Sequence, residues 1–344
     1  MITDIEQQLA KLYEGEYVPP KGFHIFHRLL QSIDSQIDRE QRMKLIWVFT
    51  MTEKALRESR RGNSNFSSFY FNELEKYSEK ENALMVHVQN FVIRPAKAFL
   101  EYNNFKNHQE AIDLLLEAIE SILWLCEEEY VYMIVGATEQ YMNICRVLLK
   151  MDEKMFAFTE LGNLIYYLLS GRCHTTLTDL SKGSEFQVSL ESDLQVILEF
   201  VTNVSVDKLL REQGDQLPLY FGKLFNWQAQ CNLKSDPRIQ NYRRCFSMIQ
   251  KLLCGQTCKI TDEIIQFISD IRILPRQLQY FFLIELQRNV LLHTPDNKSV
   301  YEALKQYCVD KLDLSGLFES ENINAGEQYS PLRKVEAIEQ EILT

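Results

Sequence analysis

Glycine and proline are scarce: 12 Gly and 8 Pro stand among 344 residues, about half the usual share. So few turn-formers exclude a collagen-like or low-complexity chain. They also argue against a fold of many tight turns, such as a sandwich or propeller. Long apolar runs are missing too. The richest stretch, Tyr280 to Ile284, is broken at once by Glu285, so no transmembrane span is expected. Met1 to Gln8 carries neither the basic nor the apolar block of a secretory leader. No segment of five or more residues alternates cleanly between apolar and polar, so no strand is expected. Positive charge is also in deficit, with 37 Lys and Arg against 48 Asp and Glu, a net charge of −11. A chain this acidic is repelled by phosphate backbones and anionic membranes unless a local basic patch compensates.

What is present is helical periodicity. Phe23, Phe26, Leu30, Ile33 and Ile37 step by three and four. Met43 to Leu56 is apolar nearly all round, as a core helix is. His108 to Cys126 places Ile112, Leu115, Ile119, Ile122 and Cys126 on one face and Asp113, Glu117 and Glu120 on the other. Tyr130 to Lys150 and Met155 to Leu169 follow, with Asp152 as expected N-cap and Gly171 as expected stop. Arg60 to Ser68 reads as a loop, and Pro95 as a kink or restart. Ala111, Leu115 and Ala118 have the second-helix spacing of a tetratricopeptide motif. One period of about 34 residues later stand Cys145, Leu149 and Asp152, so no consensus array emerges.

The expected fold is therefore all-α, either an irregular, repeat-like helical-hairpin array or two packed helical bundles. Arg172 to Ser184 is rich in Thr, Ser and Gly, and the expected division falls near residues 171–187. It separates an N-terminal helical domain, 1–170, from a C-terminal one, 188–318. Residues 319–344 are expected to form a polar segment and a terminal helix.

Eight cysteines, at 126, 145, 173, 231, 245, 254, 258 and 308, suit free thiols in a long helical chain of the cytoplasm. Cys245, Cys254 and Cys258 are the metal-ligand candidates, with Cys308 or His293 to complete a set. Three residues separate Cys254 from Cys258 where two are usual, and no second close pair exists. The preferred reading is buried thiols at a helix end, with no metal and no cofactor. His24 and His27 share a helix face, but no carboxylate follows in a zinc-binding pattern. Cys173, His174 and Asp179 fall close in sequence, where their side chains diverge rather than form a nucleophile–base pair. Glu-x-x-His pairs and Gly-rich phosphate loops are absent. Arg57, Arg60 and Arg61, and Arg238, Arg243 and Arg244, are small basic patches, too few for nucleic-acid affinity.

Protein partners, a second copy included, are the remaining class. Ile5, Leu9 and Leu12 form a short stripe cut off by Pro19 and Pro20, and Val335, Ile338 and Ile342 form another. Both are expected partner-binding elements. The expected function is a non-catalytic interaction, scaffold or assembly subunit. The alternatives are an all-α enzyme with a scattered pocket, or a helical regulator that binds a small ligand or nucleic acid.

Overall fold

A computed structural model describes residues 25–76, 82–180, 191–212, 216–224, 237–253 and 274–286, with 267 and 306 besides. These residues form eleven α-helices and no strand, an all-α helical array. The helices are α1 (Ile25–Ser32), α2 (Arg39–Arg60), α3 (Ser64–Lys76), α4 (Ala83–Leu100), α5 (His108–Glu127) and α6 (Ile134–Lys150). Then come α7 (Lys154–Ser170), α8 (Glu191–Leu210), α9 (Leu217–Leu224), α10 (Pro237–Leu253) and α11 (Arg276–Leu286). None is long and apolar enough to cross a membrane.

Residues 20–240 form one compact unit, and the expected division near 171–187 falls inside it. Consecutive helices pack together from α2 to α9, and α2 also packs on α4, α6 on α8 and α7 on α9. The pairing is antiparallel where contacts fix it. Arg94 on α4 reaches Glu117 on α5 at 2.8 Å. Lys154, which opens α7, reaches Glu212 just past α8 at 2.8 Å. A second unit is described over Asn241–Leu253, Phe267 and residues 274–286. There Phe267 meets Phe282 edge-on at 5.3 Å, and Phe281 and Leu278 are fully buried.

Local chemistry explains several helix ends. Asp38 opens α2 with a reciprocal cap: its carboxylate accepts from Gln41 N at 2.8 Å, and its own N–H donates to Gln41 Oε1 at 3.0 Å. Gly171 ends α7 with φ 75°, in the left-handed region where glycine costs least. Elsewhere tertiary contacts override the local signals. The expected loop at 60–68 shrinks to three residues, because Ser67 donates to Ala55 O at 2.9 Å and meets Ser59 Oγ at 2.6 Å. Those small hydroxyls let α2 and α3 close tightly. Pro95 does not restart the helix, since α4 runs through it. Asp152 is not the N-cap of α7: it takes φ 66° one residue before the cap position at Glu153.

Two close contacts hold the middle of the first unit. Glu160 on α7 is buried, 1% exposed, and its carboxyl accepts from Tyr141 OH, from Thr176 N at 2.9 Å and from Asn163 Nδ2 at 3.0 Å. Tyr141 OH in turn accepts from Leu177 N at 3.3 Å. The segment after α7 is thereby tied to α6 and α7, and Leu180 is fully buried at its end. Burial and the bond to Glu160 push the Tyr141 hydroxyl up, so it stays protonated as a donor. At Gly162 the carbonyls of α9 come so near that a Cβ would lie 2.5 Å from Leu224 O and 2.8 Å from Lys223 O.

Gly162→Ala should therefore lower stability by about 1–3 kcal/mol, read as a fall in Tm, because backbone rather than a flexible side chain blocks the methyl. Glu160→Gln should destabilise by about 1–3 kcal/mol. It should also speed tryptic cleavage after Arg172, since one amide oxygen cannot replace two carboxyl oxygens. An unchanged digestion rate would mean that the carboxyl does not hold the segment.

Candidate functional site: a basic cluster at the helix ends

The residues singled out from sequence do not assemble into one site. Ile5, Leu9, Leu12, Val335, Ile338 and Ile342 lie outside the described residues, as do Cys254, Cys258, Cys308, His293 and His24. The His27 side chain lies outside them too. Cys245 is described and fully buried on α10 beside Phe246 and Ile249, and burial pushes its thiol well up. Burial also raises the Cys126 thiol, to about 12, and that of Cys145. Such thiols stay protonated and inert. Among the described residues, no group of three or more His, Cys, Asp and Glu side chains is placed to hold a metal ion.

Cys173 and His174 do not pair. The Cys173 sulfur sits 3.0 Å from Thr175 Oγ1, while the His174 ring stacks on Tyr166 at 5.2 Å. Of the arginine patches, Arg61 binds Glu58 at 3.1 Å, and Arg244 lies over the Phe267 ring at 5.3 Å.

A different set of cations does converge. A π-helical turn, Glu101–Phe105, extends α4, and Lys106 follows with φ 61°. Such turns redirect the chain at a helix end. Lys106 Nζ donates to Asn103 O at 2.6 Å. Lys150, in the last turn of α6, donates to Asn103 Oδ1 at 3.4 Å and lies 4.6 Å from the centre of the Tyr102 ring. One helical turn earlier on α6, Arg146 donates to Asn143 Oδ1 at 3.3 Å. Lys208, in the last turn of α8, is half-buried beside them, with Arg211 beyond it.

The electrostatics follow from that crowding. The Lys208 ammonium is pushed down to about 8, first by burial, then by Arg211, Arg146 and Lys150, with Asp207 opposing. Lys150 is lowered by partial loss of water, then by Lys106 and Arg146. Its side chain is nevertheless exposed, so water screens much of that effect. Two carboxylates face the group. Asp207 accepts from Arg211 at 3.0 Å, and the Glu139 carboxyl lies near Arg146 and is raised by burial. Lys208 itself makes no ion pair with any described residue. The C-terminal dipoles of α6 and α8 make the cations tolerable at these ends.

Sequence reasoning passed over this group because its members come from three distant segments. The available signal was two like-charged pairs at helical spacing, Arg146 with Lys150 and Lys208 with Arg211, inside an acidic chain. Comparison with known protein families, with curated proteins and with solved structures finds no match to this chain.

Lys208→Met keeps the apolar stem and removes the crowded charge. It should raise Tm at neutral pH. The gap should close as pH rises from about 8 to 10. In that window the folded amine has lost its proton while the unfolded one still holds it, which favours the folded wild type. A fall in Tm on substitution would show that the ammonium is a structural anchor instead.

Proposed function

We propose that this chain is a non-catalytic protein-interaction or assembly subunit that works in the cytoplasm. The observation that carries the reading is a pair of large aromatics left in water on α3. Phe66 is 64% exposed and Phe69 56%, one helical turn apart on the same face. Tyr70 meets Phe69 edge-on at 5.7 Å. On α2, Met43 and Ile46 are exposed in the same one-turn spacing. Scattered apolar side chains on a surface are ordinary, but paired aromatics on one helical face are the kind of anchor that fills a partner's pocket. Burying each phenyl ring is worth about 1.5–3 kcal/mol. The stripes Ile5–Leu9–Leu12 and Val335–Ile338–Ile342 are the second and third elements of this proposal. A second copy of the chain is one of the partners considered.

The double substitution Phe66→Ser with Phe69→Ser tests it. Neither ring is buried in the fold, so Tm should change little. A stoichiometric partner that co-purifies with the wild type should be lost, and reconstitution from purified components should weaken at least tenfold, corresponding to about 1.4 kcal/mol. A large drop in Tm with undiminished partner binding would return these rings to the fold and refute the reading.

A further inference from the structure

In a chain of net charge −11, carboxylates are plentiful, and several cations of the first unit pair with them. Arg42 holds Asp34 at 2.6 Å, Lys97 holds Glu75 at 2.5 Å, Arg94 holds Glu117 at 2.8 Å and Lys154 holds Glu212 at 2.8 Å. At the ends of α4, α6 and α8 five cations are gathered, and four of them, Lys106, Arg146, Lys150 and Lys208, make no ion pair among the described residues. Lys106, Lys150 and Arg146 rest on neutral amide oxygens of Asn103 and Asn143, two of those bonds being long, at 3.4 and 3.3 Å. Lys208 has no ion-pair partner among the described residues. Asp207, bonded to Arg211 at 3.0 Å, also acts on Lys208, and Glu139 lies near Arg146, so two carboxyl groups face five cations.

We infer that the ends of α4, α6 and α8 form a binding site for a compact, multiply charged oxyanion of the pyrophosphate class. A phosphate oxygen accepts a charge-assisted hydrogen bond far better than an amide oxygen does, so an arriving anion displaces the long amide bonds. Asn103 brings two ammonium groups to one residue, and the π turn with left-handed Lys106 is what places the first of them there. Lys106 and Lys150 are exposed, so the anion reaches them from solvent. The acidic remainder of the chain selects for size. An extended phosphate backbone would run onto repelling surface, whereas a small anion stays within the cluster.

The test uses the full chain and inorganic pyrophosphate. Pyrophosphate should raise Tm in proportion to the logarithm of its concentration, and calorimetry should show one site. Sodium chloride at matched ionic strength should give no such shift. Lys150→Met and Lys208→Met should each weaken binding about tenfold or more, and the double variant should lose it at millimolar anion. Lys208→Arg, which keeps the charge and adds a planar fork, should retain it. No pyrophosphate-dependent shift in the wild type overturns the inference. So does an equal shift in chloride, or an undiminished response in a double variant whose helical content is normal.

Discussion

Each helix from α2 to α9 has its apolar stripe covered by a sequence neighbour. The stripe on α5, with Leu115, Ile119 and Ile122 wholly or almost wholly buried, is closed by α4 on one side and α6 on the other. Isolated helices of this length are marginal in water, so this covering, rather than intrinsic propensity, keeps them folded. The same constraint sets the geometry of everything else. Antiparallel neighbours bring alternate helix ends to a common level. The C-termini of α4, α6 and α8 therefore meet, and with them the cations of the cluster in and beyond these ends. The basic cluster is a by-product of stacking in its position and a departure from it in its charge.

Close approach is bought with small residues at two points. Ser59 and Ser67 satisfy each other where α2 turns into α3, and Gly162 leaves room for the carbonyls that end α9. Two residues before Gly162 stands Glu160, a buried carboxyl with three donors and no cation among the described residues. Hydrogen bonds rather than an ion pair meet its need for partners, and they fasten an irregular segment that has few apolar side chains of its own.

The all-α architecture was legible because the 3–4 stripes are long and unbroken. The helix expected over 108–126 differs from α5 by one residue. Signals that depend on a single residue fared worse, and for physical reasons. Pro95 does not restart the helix as one of its two expected readings had it: packing on α2, α3 and α5 carries α4 through. Asp152 has a capping side chain, but the short connection from α6 forces it into a left-handed turn before the cap. The serine-rich stretch after Arg60 reads as loop, because sequence cannot show that Ser67 finds its acceptor on the neighbouring helix. The basic cluster was the least legible feature, since Lys106, Arg146 and Lys208 become neighbours only after α4, α6 and α8 have stacked.

Stacking between near neighbours also governs how such a chain reaches its fold. Loop-closure entropy grows with the separation of the residues joined, and here the most closely packed helices stand one or two places apart in the chain. A hairpin such as α2–α3 or α5–α6 can form before distant residues have met. Low contact order of this kind is associated with rapid folding. It also suits folding during synthesis, each helix docking onto the last as it leaves the ribosome.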